Sequence, residues 1–252
     1  MTNFAPFAHM LADSSGAVIR SYFRTPMPVD YKTDESPVTI ADREAESAIR
    51  QLIEEIYPDH GIIGEEFPSI REDAEYCWII DPIDGTKSFM IGRPIFGTLI
   101  ALMRNKTPIL GIIDQPIAGE RWCGGDGVQA TLNGAPISSR QCPQISSAML
   151  CTTARELFNE SDGRAYDRVK ERVKYYNYGG DCYNYGLVAS GTVDIVIEAG
   201  LKAHDFCALA PVIIAAGGVC TDWEGKAIDF YSDGRMLACG DKELHAEVLK
   251  LL

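Results

Sequence analysis

Positive charge is scarce in this sequence: 23 lysines and arginines stand against 36 aspartates and glutamates, a formal net charge of −13. Non-specific binding to nucleic acid or to an anionic membrane rewards basic patches, so neither is expected as a partner. An anionic substrate is still allowed, because bound divalent cations reverse the local sign. Histidine occurs only four times. None of the eight cysteines forms a Cys-x-x-Cys pair or has a histidine at zinc-ligand spacing. Scattered at 77, 123, 142, 151, 182, 207, 220 and 239, they read as small buried residues of a reducing compartment. No run approaches the about 18 apolar residues that suggest a membrane-crossing helix. The first 24 residues, broken by Asp13, Arg20 and Arg24, lack the apolar stretch of a secretory signal. A cytoplasmic protein is expected. Internal repeats and low-complexity tracts are also missing.

What is present is an ordinary apolar content of 46 % in 252 residues, enough for one large domain or two modest ones. Apolar residues at helical spacing over 3–24 predict a helix, and VTIADREAESAIRQLIEEIYP predicts a second, ending before Pro58. GIIGEE and YCWIID read as short buried strands. Asn105-Lys106-Thr107 joins two apolar runs as a hairpin, and Asn133-Gly134 is a tight-turn signal. Near residue 148 short strands begin to alternate with helices, the pattern of α/β layering. Two parts are therefore expected: 1–145, a helix-plus-antiparallel half, and 146–252, an α/β half.

The stretch WIIDPIDGTKSF, residues 78–89, ends an apolar run on two carboxylates three apart. Pro82 disfavours helical geometry at Asp81, so Asp81 is expected to finish a strand. Pro82 then opens a turn, Asp84 is placed to cap the next helix or turn, and Gly85 permits close backbone approach by a ligand. Folded to one point, the two carboxylates repel, and one takes a proton unless a divalent cation neutralises them. Oxygen donors without a neighbouring Cys or His suit Mg2+ or Mn2+ better than Zn2+. The alternative is a solvated Asp81 and an Asp84 that merely caps a turn. Other acids stand at similar places: Glu65 and Glu66 end GIIGEE, Asp42 follows VTIA, and Asp205 opens the apolar helix HDFCALAPVIIAAG.

VTIADREAE, GIIGEE, WIIDPIDGTKSF, LNGAPI and HDFCALAP occur in this order over nearly the whole chain. Together they resemble the inositol monophosphatase family of metal-dependent, lithium-sensitive sugar phosphatases. The resemblance implies a layered αβαβα sandwich, the α/β (α+β) architecture of the superfamily that includes fructose-1,6-bisphosphatase-like enzymes, often as a homodimer. It implies that Glu65, Asp81, Asp84 and Asp205, with the backbone carbonyl of Ile83, hold two or three Mg2+ ions, with Mn2+ as the other candidate. Most of these ligands fall in 1–145, and Asp205 falls in 146–252. Glu65 and Thr86 would hold the attacking water, with Asp42 orienting Thr86. Asp84, Gly85 and Thr86 would surround the phosphate.

Within the family, GEEF, IIDQPIAGERWCGG and YNYGGDCYNYGLVASGTVDIVIEAGLKAHDF resemble the histidinol-phosphate phosphatase branch. Histidinol phosphate carries an ammonium and an imidazole, and Asp181 and Glu198 are the carboxylates expected to meet them. The resemblance places a substrate-contacting acid at Glu198 in inositol phosphatases too. Capping the helix DCYNYGLVASG is the alternative duty for Asp181. His204 departs from the family, which usually has Trp or Tyr before the aspartate. It is expected to pack on the pocket wall, leaving the metal site unaffected. Tyr183 and Tyr185 are expected in the core or wall. Lys87 reads as solvated, and Lys32, in the polar loop 25–37, is a candidate lid residue.

The expected reaction is Mg-dependent hydrolysis of histidinol phosphate to histidinol and phosphate, in histidine biosynthesis. The alternatives are inositol 1-phosphate or another small phosphomonoester on the same metal core, or metal binding without catalysis. A phosphoaspartate mechanism of the haloacid-dehalogenase type has its two acids two apart; Asp81 and Asp84 are three apart.

Overall fold

The computed structural model of the protein describes residues 3–26, 28–31 and 37–252; Lys32 lies outside them. Helix α1 (Ala5–Tyr22) and helix α2 (Ile40–Ile56) pack together. Their apolar stripes, Ala8, Leu11 and Ala12 with Ile49 and Ile53, lie on one face of a seven-stranded sheet. That sheet runs in the order β3 (Gly61–Gly64), β4 (Tyr76–Asp84), β5 (Gly97–Arg104), β6 (Thr107–Gln115), β7 (Glu120–Gly125), β8 (Val128–Leu132), β9 (Ala135–Pro136). Only β3 and β4 are parallel within it. A short pair, β1 (Val29–Tyr31) and β2 (Pro37–Thr39), precedes α2. Both expected tight turns form, because Asn105, Lys106, Asn133 and Gly134 all take positive φ, as two-residue hairpin turns require.

The second sheet has five strands in the order β11 (Tyr175–Tyr178), β10 (Met149–Thr152), β12 (Ile195–Glu198), β14 (Met236–Cys239), β13 (Val219–Thr221). Helices α4 (Glu160–Lys170) and α8 (Lys242–Leu249) cover its outer face through Tyr166, Val169, Leu244 and Val248. Between the two sheets lie α5 (Tyr183–Ala189), α6 (Ala203–Phe206) and α7 (Leu209–Ala215). With α3 (Thr86–Met90) at the end of β4, the order of layers is αβαβα. Alternate residues of β4 obey the two-residue period of a strand: Trp78 and Ile80 face α1 and α2, while Cys77 and Ile79 face the middle layer. Burying each such large apolar side chain contributes about 1.5–3 kcal/mol.

HDFCALAPVIIAAG is two helices rather than one. Pro211 has no N–H to bond the carbonyl of Cys207, so the chain pauses between Phe206 and Leu209. The middle layer is tight at this pause. A Cβ on Gly111 in β6 would sit 1.9 Å from the Ala208 carbonyl oxygen, a backbone atom with no rotamer to escape through. Gly111→Ala is therefore expected to destabilise the protein by about 1–3 kcal/mol. A denaturant midpoint equal to that of the parent would show that the middle layer can yield there.

Candidate active site

A strand places residues three apart on opposite faces, which would send Asp81 and Asp84 away from each other. The structure resolves this with a bulge. Asp81 pairs with Leu99 and Asp84 with Gly97, so three steps on β4 match two on β5. The extra residue resets the alternation, and both carboxylates point into the middle layer. Pro82 sits inside the bulge, where its missing N–H costs no ladder bond. Two expectations are corrected here. The strand runs on to Asp84 rather than ending at Asp81, and Asp84 does not cap α3. Gly85 holds the N-cap position with φ of 88°, and the Asp84 carboxylate instead accepts the Cys182 N–H at 2.6 Å. Gly97 makes that contact possible, since a Cβ there would lie 2.7 Å from Cys182 Sγ.

Other elements bring further acids to the same place. One carboxylate oxygen each of Asp81, Asp84 and Asp205 lie within 4.8 Å of one another. Asp81 and Glu65 form a second group with a ring nitrogen of His204, within the same limit. Asp205 is the third residue of α6 and accepts the Lys202 N–H at 2.7 Å, which fixes its rotamer. Asp81 accepts the Ile83 N–H at 3.0 Å. Burial pushes the Asp81 carboxyl well above its usual range, and the charges of Glu65, Asp84, Asp205 and Asp42 push it further. Asp84 is raised in the same way, by burial and then by Asp181 and Asp205. Like charges crowded out of water are the signature of a group that is completed by a cation. The donor set is mostly hard oxygen and fits a divalent ion such as Mg2+.

Asp42 does not pair with Thr86. Its carboxylate accepts the Thr39 N–H at 2.8 Å and the Thr39 hydroxyl at 2.6 Å, closing a capping box on α2. Burial raises it to about 6. The Thr86 hydroxyl donates to the Ile83 carbonyl at 3.1 Å instead.

Asp84, Asp181, Glu198 and Asp205 line one cleft, together with Thr153, Phe158 and Tyr185. Asp181 is not a helix cap: α5 begins two residues later without a side-chain cap. It takes φ of 44°, a left-handed conformation uncommon outside glycine, and accepts the Ser88 hydroxyl at 3.2 Å. A Cβ on Gly85 would lie 2.6 Å from its carboxylate, so Gly85 and Asp181 form one surface. Glu198, at the end of β12, accepts the N–H and hydroxyl of Thr153 at 3.0 and 2.6 Å and the Tyr185 hydroxyl at 3.0 Å. Burial nonetheless carries its pKa up to about 7. Thr153, Ser88 and the Cys182 N–H were not singled out in the sequence. Their partners are distant in the chain, and only the position of Thr153 just past an apolar strand hinted at a role.

The model of the inositol monophosphatase family matches residues 1–252. The chain belongs to the inositol monophosphatase family. It is 49 % identical to the bifunctional phosphatase IMPL2, chloroplastic, of Arabidopsis thaliana, over all of this chain and 75 % of that one. It is 36 % identical to a histidinol-phosphatase of Chlorobaculum parvum, over 90 % of this chain and 88 % of that one. A solved inositol monophosphatase from Zymomonas mobilis superposes with a TM-score of 0.91 at 42 % identity, covering 100 % of this chain and 99 % of that one. Members of this family are phosphatases acting on small phosphomonoesters, so the chain is read as a hydrolase. Its fold is the family's α/β fold, with mixed sheets. No helix among the described residues is long and apolar enough to cross a membrane.

His204, where the family usually has Trp or Tyr, does more than line the wall. Its ring nitrogen is within ligand reach of Glu65 and Asp81, and its Nε2 is 3.5 Å from Asp205 Oδ1. The expectation that it leaves the acid cluster unaffected is therefore revised: α6 carries His204 and Asp205 side by side into one cluster. Tyr183 turns its hydroxyl to Glu120 at 2.5 Å, away from the cleft acids, whereas Tyr185 is wholly buried and orients Glu198. Lys87 is exposed.

Proposed function

We propose that the protein hydrolyses histidinol phosphate to histidinol and phosphate in histidine biosynthesis. One observation carries this reading: Asp181 and Glu198 line the same cleft as Asp84 and Asp205, so acids remain beyond those proposed for the metal. A substrate with a phosphate at one end and an ammonium and imidazole at the other matches that division of charge. The 36 % identical histidinol-phosphatase supports it as well.

Glu65, Asp81, Asp84, Asp205 and the Ile83 carbonyl would hold the Mg2+ ions. When bound, such ions neutralise phosphate charge and acidify water. Glu65 and Thr86 hold and orient the attacking water. The N–H groups of Gly85 and Thr86, opening α3, receive phosphate oxygens. Asp181 and Glu198 position the cationic end, so that remote binding energy fixes the phosphate for in-line attack. The eight buried free thiols fit a reducing compartment such as the cytoplasm, and the family resemblance supports a homodimer.

The test is phosphate release from histidinol phosphate and inositol 1-phosphate, side by side with Mg2+ and with a chelator control. A large preference for histidinol phosphate, abolished by the chelator, is expected. Preference for inositol 1-phosphate would keep the hydrolase and discard this substrate. In the same assay Asp181→Ala is expected to raise KM for histidinol phosphate by about 10–100-fold, as for a lost charge-assisted bond, with a much smaller effect on a neutral phosphate ester. Equal losses on both would remove Asp181 from substrate selection.

A further inference from the structure

We propose that His204 is a nitrogen ligand of the metal site, making the Glu65–Asp81 end of the acid cluster a mixed oxygen–nitrogen site that favours Mn2+ or Zn2+ over Mg2+. This rests on the reading of the acid cluster as a metal site. Three facts support it. A ring nitrogen of His204 and one carboxylate oxygen each of Glu65 and Asp81 lie within 4.8 Å of one another, close enough to share one ion. The His204 side chain is only 14 % exposed, so it is held in the cluster rather than in solvent. The short helix α6 fixes its backbone, because Asp205 locks the first turn onto the Lys202 N–H. Oxygen-only sites suit Mg2+, whereas an imidazole adds affinity along the first-row series and for Zn2+ and little for Mg2+.

The other three histidines do not compete for the ion. His60 accepts the Trp78 indole N–H at 3.1 Å and stacks on Tyr57 and Tyr76. His245 bonds Thr221 at 2.9 Å in the outer layer, and His9 lies in a separate cleft beside Arg121. A nitrogen signal on a bound ion therefore reports His204.

The experiment is electron spin-echo spectroscopy of Mn2+ added to the metal-free full-length protein, with direct titration of Mn2+, Zn2+ and Mg2+. The wild-type protein is expected to bind Mn2+ with imidazole-nitrogen modulation of the echo. In His204→Phe the modulation disappears, Mn2+ and Zn2+ affinity falls at least about tenfold, and Mg2+ affinity stays within about twofold. Bound Mn2+ without nitrogen modulation in the wild type overturns the ligand assignment and leaves the carboxylate site standing. If no Mn2+ binds, both this inference and the metal reading of the cluster fall. The wild-type spectrum decides between these outcomes even if the variant does not fold.

Discussion

Asp84→Asn is expected to lose turnover by at least about 10²-fold, while the metal-free variant unfolds at a higher temperature than the parent. The two effects have one cause. Asparagine keeps the shape of aspartate and can still accept the Cys182 N–H through its side-chain oxygen, so the bulge in β4 and its contact with α5 persist. What disappears is a carboxyl group crowded by Asp181 and Asp205. Without a cation, folding at neutral pH must either keep that carboxyl's charge or bind a proton to quench it, and asparagine removes either cost. With substrate present, the same charge is needed to hold the cation and the developing transition state, where losing one such group costs about 10²–10³ in rate. Phosphate release and thermal unfolding of the metal-free protein measure the two halves separately. Wild-type rates in the variant would refute the metal assignment, and a lowered unfolding temperature would mean that Asp84 is chiefly structural.

The second large effect is on pH dependence. The metal-free protein is expected to lose stability as pH rises from about 6.5 to about 7.5, and saturating Mg2+ is expected to flatten that slope. In this window unfolded aspartates and glutamates are already ionised. In the folded protein Glu198 keeps its proton up to about 7, and burial and neighbouring carboxylates raise Asp81 and Asp84 in the same direction. The folded state then binds more protons than the unfolded one, so stability falls as pH rises, by about 1.4 kcal/mol per pH unit for each extra proton held. His9, His60 and His245, lowered by burial, act in the opposite direction, but chiefly at lower pH, where their unfolded forms are still charged. Calorimetry across the window checks this. A metal-free unfolding temperature that climbs with pH would contradict the crowding of buried acids on which the site rests.

Features set by neighbours in sequence were legible without a structure. Asn133-Gly134 and Asn105-Lys106 announce their turns because few residues accept positive φ. The apolar runs of β4, β5 and β6 announce a buried sheet. Asp81, Asp84 and Asp205 were legible as a group because each acid ends or opens an apolar element. The bulge was not, since its register depends on Leu99 and Gly97 across the ladder. Nor was the partner of Asp84, an amide at the start of α5 that lies 98 residues later in the chain. The sequence left helix capping open as an alternative duty for Asp181, because its type and position suit a cap, but its left-handed backbone and Ser88 take it elsewhere. The reach of His204 into the cluster was hidden, because a departure from Trp or Tyr says nothing about which way the ring turns.

The acids come from three layers: Glu65, Asp81 and Asp84 from the ends of β3 and β4 in the seven-stranded sheet, Asp205 from α6 in the middle layer and Glu198 from β12 in the second sheet, the last two far later in the chain. Contacts between such distant segments close late, because loop-closure entropy is lost before they give anything back. An intermediate with only the first sheet and α1 and α2 formed would have a sound apolar core and half an active site. Recovery of activity during refolding should therefore lag behind recovery of tryptophan burial at Trp78, with the cluster recording when the last layer docks.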